Sequence, residues 1–140
     1  MPVTETPFCF AMLFGDVIYK DQGTGKWTVF GVFDMSFVPQ LPAEFQLPVF
    51  IGLTDGRGKM SMKVQLVPAS ADFDDSADNL PVGFVDLDAN FAEPLDVLQL
   101  SVAIPVKVEH AGAYCCELLL NNERVMTRRF LVNGPPEAIP

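Results

Sequence analysis

Four aspartates crowd one stretch of the chain, Asp72-Phe73-Asp74-Asp75-Ser76-Ala77-Asp78-Asn79. Carboxylates this close together are hard oxygen donors. With Asp86 and Asp88 further on, they form the kind of set that can hold Ca²⁺ between loops. Asp72, Asp74 and Asp78 are therefore the candidate metal ligands, and Ca²⁺ is the one cofactor the residues suggest. The stretch lacks the central Gly and the closing Glu of the helical calcium loop. A solvated acidic loop is the plainer reading, because charge runs on long loops serve mainly to keep a surface wet. The expectation is no bound cofactor.

His110 is the only histidine. Near it in sequence lie Cys115 and Cys116, so a thiol nucleophile with an imidazole base would be the chemistry of that cluster. A zinc site would need His110 and all three cysteines to converge without a spaced Cys pair. A corner-loop histidine beside buried strand cysteines is simpler. Gly23-Thr24-Gly25-Lys26 matches part of a phosphate-binding loop. The full pattern asks for Gly where Lys20 stands and for Ser or Thr where Trp27 stands, so the segment reads as a hairpin turn. No Ser has the context of a nucleophile elbow. Asp86 and Asp88 share one strand face, as solvating residues do, and do not make an opposed acid pair.

The elements that would position these residues are strands. Gly112 to Leu120 and Glu123 to Val132 are β-prone runs around Asn121-Asn122, two residues that tolerate positive φ, which is a hairpin signal. The inner face reads Tyr114, Cys116, Leu118 and Leu120 at period two. A two-residue turn sets Leu118 opposite Val125 and Tyr114 opposite Arg129. One extra loop residue sets Leu118 opposite Met126 and Tyr114 opposite Phe130. Both registers pack equally well, and Glu117 lies near Arg124 and Arg128 on the other face. Tyr114 follows a Gly at the corner and precedes Cys116 by two, which is the spacing found at an immunoglobulin-type corner. Cys9 lies too near the start of the chain to complete the disulfide of that fold.

The rest of the chain repeats the pattern. Phe8 to Phe14 is apolar on both faces, with a bend at Gly15-Asp16 and a continuation through Tyr19. Lys26 to Val38 shows an inward face of Trp27, Val29, Phe33, Met35 and Phe37, interrupted at Gly31. Phe45, Leu47, Val49, Ile51 and Leu53 form the next, where Pro48 argues for an edge strand or a start at Val49. Met60 to Leu66, Val82 to Phe91 and Leu95 to Val108 alternate in the same way. Pro105 marks an edge or a strand end. The 68–81 segment is a long loop, and 133–140 is a Pro-containing tail. No run has apolar residues at helical spacing, so the chain reads as a single antiparallel β-sandwich over 1–140, immunoglobulin-like in the broad sense, with eight or nine strands.

Composition narrows the function classes. The 140 residues are 49% hydrophobic with twelve Phe, enough for a sizeable core, and the net charge is −9. That charge argues against nucleic acid and against an anionic membrane surface. No apolar run is long enough to span a bilayer as a helix, and an odd count of three cysteines with no signal segment fits a reducing cytoplasm. The Phe8 and Trp27 segments hold more apolar surface than two packed sheets need. That surplus reads as an interaction surface carried by Phe10, Phe30 and Val32.

Several short motifs resemble those of a bacterial family of small single-domain proteins, a domain of unknown function. They are Gly15-Asp16, Gly25-Lys26, Gly31-Val32-Phe33, Leu41-Pro42 and the closing Gly112-Ala113-Tyr114 hairpin, with Asn121-Asn122 where a Gly-containing turn is usual. The resemblance implies a bacterial cytoplasmic β-sandwich and brings no activity or catalytic residue. The expectation is a non-catalytic protein-binding or structural module, with a protein partner or a homo-oligomer. The alternative is a Ca²⁺- or small-ligand-binding sandwich, or an enzyme using the acidic loop and His110.

Overall fold

The computed structural model describes residues 7–69, 80–93 and 96–135, and among them there are nine strands and no helix. In chain order these are β1 (Phe8–Lys20), β2 (Trp27–Phe33), β3 (Met35–Phe37), β4 (Ala43–Thr54), β5 (Gly58–Pro68), β6 (Gly83–Phe91), β7 (Leu98–Val108), β8 (Gly112–Leu120) and β9 (Glu123–Asn133). They form two sheets, ordered β2-β1-β4-β7 and β3-β9-β8-β5-β6. The pairings are antiparallel except β3 with β9, which run parallel.

The closing hairpin uses both registers allowed by its sequence. Asn121 (φ 49°) and Asn122 (φ 66°) make the two-residue turn, with Leu120 opposite Glu123. A register shift between Leu118 and Leu119 then absorbs Val125, so Leu118 faces Met126 and Tyr114 faces Phe130. A bulge of this kind adds one residue to one strand and tightens the local twist. The predicted inner face holds: Tyr114, Cys116, Leu118 and Leu120 are all buried. The Tyr114 hydroxyl donates to the His110 carbonyl oxygen at 2.5 Å, tying the strand to its corner.

One core lies between the sheets. Leu47, Val49, Ile51 and Leu53 of β4 face Met60, Met62, Val64 and Leu66 of β5 and the inner side of β8. At one side of this core, Phe130 of β9 meets Phe14, Phe33 and Phe45 of the opposite sheet, with ring centroids at 5.3, 6.1 and 6.3 Å. The other side is closed by backbone. Val82 donates to the Leu66 carbonyl and accepts from the Lys107 N–H, while a Cβ at Gly83 would run into the Pro105 carbonyl.

The structure corrects the sequence reading at several points. Lys26 to Val38 is not one strand: the chain leaves the first sheet at Phe33 and joins the second at Met35, and Asp34 carries the step. Crossing between sheets resets the alternation. Ser36 and Val38 turn inward, and Met35 and Phe37, expected inside, stand exposed. β1 has a register shift between Cys9 and Ala11, which turns Phe8 and Phe10 outward and leaves Cys9, Met12 and Phe14 in the core.

Pro48 lies within β4, although that strand neither begins there nor lies at a sheet edge overall. The pairing of β1 with β4 ends at Val49, so the first half of β4 has β7 as its only neighbour, and there a missing N–H is tolerated. Pro105 sits on β7, which is a true edge. The final strand runs through Asn133, so the tail starts one residue later than expected.

Candidate interaction surface

The β1–β2 hairpin starts from a tight turn. Asp21 accepts from the Gly23 N–H through its carboxylate at 2.9 Å and from the Gly25 N–H through its carbonyl at 2.7 Å. The Gly23 hydrogen bond holds the Asp21 carboxyl below its usual range. Gly25 has φ 72°, and these bonds make Gly23 to Lys26 a hairpin turn with its N–H groups already engaged. The hairpin then bends over the outer face of its own sheet. Trp27 lies over Phe50 with ring centroids 5.6 Å apart. A Cβ on Gly15 would collide with Val29, so the absence of a side chain there lets the two strands close. Gly31, with φ 72°, has the Asp16 side chain where a Cβ would go.

Phe10 belongs to this outer layer. Its ring covers Gly52 so closely that any side chain at 52 would strike it, and it is 44% exposed. Phe30 pairs with Val17, seven residues further along β1 than Phe10 and past the bend at Gly15. Phe30 and Val32 sit together on β2, 68% and 54% exposed. Met35 and Phe37, 54% and 63% exposed, follow after the step at Asp34, on β3 of the second sheet. Leu131 pairs with Met35 and is also exposed. The alternation rule hid Met35 and Phe37. The available signal was Asp34, a lone charge in an apolar run.

The sheet edges are not alike. β3 is three residues long. β6 presents Asp86 and Asp88, both exposed. β7 carries Pro105 and Lys107, and the Lys107 N–H is taken by Val82. β2, Trp27-Thr28-Val29-Phe30-Gly31-Val32-Phe33, has no charge and no proline. Short length, charge and proline are among the devices that keep a sheet edge from pairing further; β2 has none of these three, and its one irregularity is Gly31 (φ 72°). Beside Asp34 lies a shallow hollow of about 330 Å³ lined by Asp34, Arg128, Arg129 and Leu131. Arg128 spans it, donating to Asp34 Oδ1 from Nε at 3.2 Å and Nη2 at 2.8 Å, and lying over the Phe14 ring at 5.9 Å.

The other candidates are dispersed. Asp72, Asp74 and Asp78 lie outside the described residues. His110 is an exposed corner residue whose carbonyl serves Tyr114. All three cysteines are free, with Cys9 and Cys116 buried and Cys115 half-buried. Burial pushes the Cys116 thiol up to about 12, with the negative charge of Glu117 and Cys115 adding to it. Burial also raises Cys9. Neither is prepared as a nucleophile, since a reactive thiol needs a depressed value. Glu117 pairs with Arg124 at 2.9 Å and accepts from Gln65, while Arg128 turns to Asp34. Among the described residues no three His, Cys, Asp or Glu side chains gather as metal ligands.

Residues 11–133 match a family described as a family of unknown function (DUF6941). No curated protein matches the chain. Among solved structures it is similar to the Pseudomonas fluorescens alkylpurine DNA glycosylase AlkC, bound to DNA containing an abasic site analog. That likeness has 13% identity and a TM-score of 0.40, covers 71% of this chain and 28% of the glycosylase, and bears on neither fold nor function.

Proposed function

We propose, for a chain that belongs to this family of unknown function, that it is a non-catalytic protein-binding or structural module whose contact surface is the β2 edge. The observation that carries this is an uncharged edge strand with Phe30 and Val32 exposed, flanked by exposed Met35 and Phe37. An edge strand offers unpaired N–H and C=O groups in a row. A strand from a partner satisfies those groups and covers the apolar side chains in one step, so backbone gives affinity and side chains give selectivity. The net charge of −9 favours a protein over nucleic acid or an anionic membrane as that partner.

The finer fold belongs to this reading. We take the two sheets as an immunoglobulin-like sandwich in the broad sense. Its support is the strand order, the parallel β3–β9 pairing at one edge, and the Tyr114 hydroxyl bonded back to its corner. That fold hosts many functions and assigns none, so the interaction surface rests on β2 alone. A bacterial cytoplasm is the compartment we assign, in keeping with three free cysteines.

The test compares immobilised wild-type protein with Phe30→Lys in extracts of the native host, read by mass spectrometry. Phe30 is 68% exposed, so the variant keeps its core. A stoichiometric protein held by the wild type and lost by Phe30→Lys supports the reading. Equal capture by both overturns it.

A further inference from the structure

We infer that the open edge of β9 takes an extended segment of another protein in which acidic and apolar side chains alternate. This edge belongs to the second sheet, and the inference does not rest on β2. β3 pairs with β9 only from Leu131 to Asn133, and no strand among the described residues pairs with Met126 to Phe130 on that side. β9 is regular there, since its register against β8 runs unbroken from Met126 to Val132. The hydrogen bonds to β3 show which backbone groups face the open side. The Leu131 N–H donates to the Asp34 carbonyl at 2.9 Å, and the Asn133 carbonyl accepts from the Val38 N–H at 2.8 Å. Backbone groups of alternate residues point the same way along a strand, so Thr127 and Arg129 also turn their N–H and C=O groups outward. The hollow of about 330 Å³ lined by Asp34, Arg128, Arg129 and Leu131 lies where the β3 pairing stops. A strand bonded to Thr127 and Arg129 would extend the sheet at that point.

The side chains name the partner. Thr127 and Arg129 are exposed on one face of the strand, and Arg129 makes no ion pair among the described residues. On the other face Met126 packs against the core, and Arg128 lies over Phe14 with its charge met by Asp34. An incoming strand therefore finds an unanswered cation on one side and largely apolar surface on the other. A carboxylate opposite Arg129, flanked by apolar residues, matches both. In a chain of net charge −9, an uncompensated arginine on an open edge selects for an acidic partner. It also bars the same strand of a second copy. Antiparallel pairing centred on Arg128 or Arg129 would oppose two arginines, and centred on Thr127 it would run into the register shift beside Val125.

Amide NMR of the full chain, labelled with ¹⁵N, decides the matter. The probes are two acetylated seven-residue peptides, one alternating Val with Glu and the other Val with Lys. The Glu peptide is expected to shift the Thr127 and Arg129 amide signals and to bind at least about fivefold tighter than the Lys peptide. Arg129→Glu should invert that order. Arg129 is exposed, so the variant keeps its core, and a thermal melt confirms that it is folded. No shift at Thr127 and Arg129 with millimolar peptide, equal affinity for the two peptides, or an order unchanged by Arg129→Glu overturns the inference. Shifts confined to β2 also overturn it and leave the β2 surface standing. Thr127 and Arg129 signals that move with the concentration of the chain alone would put a second copy on this edge, and would overturn the foreign strand.

Discussion

Phe130 and Phe30 are the same residue type on strands of two different sheets, and truncating each should give opposite results. Phe130 is 0% exposed and touches three rings of the facing sheet. Phe130→Ala loses about 2–3 kcal/mol of burial. It also leaves a cavity of roughly 80 Å³, which at about 24 cal/mol per Å³ adds about 2 kcal/mol, for a total of about 4–5 kcal/mol. Phe30, 68% exposed, has only a third of its surface to lose, so Phe30→Ala should cost less than about 1 kcal/mol. Urea unfolding followed by circular dichroism measures both, read as a change in midpoint at constant slope. The reasoning fails if Phe30→Ala costs as much as a core truncation. Phe30 would then be held for folding, and its exposure would say nothing about a partner.

Other consequences follow from the same packing. Tyr114→Phe removes the hydroxyl bonded to His110 and leaves the ring in place. The melt should show a loss of about 1–2 kcal/mol, and no loss would mean the corner contributes nothing. Gly52→Ala should destabilise the fold because its Cβ meets the Phe10 ring. The cost should largely vanish in a Phe10→Ala background, and additive effects would show that the two do not touch. The Cys116 thiol sits at about 12 in the folded chain, against about 8.5 unfolded. The unfolded chain therefore releases that proton first. The stabilisation is complete below about pH 8.5 and is lost as pH rises toward 12, at about 1.4 kcal/mol per pH unit. Cys9 and Tyr114, also raised, push the same way. A urea midpoint that holds steady from pH 8.5 to 10.5 would contradict this.

Most strands were legible because their faces alternate. β8 buries every second residue, and β5 does so from Met60 to Leu66, with Val67 buried beside the last of them. Alternation is blind to events that change its phase. The register shift after Cys9 and the step between sheets at Asp34 each turn a face over without changing composition. Alternation therefore places Met35 and Phe37 inside, whereas both stand exposed. The closing hairpin shows the same limit differently. Asn121-Asn122 announces the turn, but the bulge that selects the register depends on pairing Tyr114 with Phe130 against the opposite sheet. The surplus of apolar residues was visible in composition. Which of them stand exposed was not, since that depends on the register shift after Cys9 and the step at Asp34.

The central claim is that a protein strand covers β2, and a photo-crosslinker placed at position 30 in the native host tests it most directly. A control at position 86, on the acidic edge strand β6, is also exposed to solvent but lacks the apolar edge. The account predicts a discrete adduct from position 30, either with a second copy of the chain or with one partner, and none from position 86. Adducts from position 86 alone, or no adduct from position 30 under conditions where the chain is abundant, would contradict it.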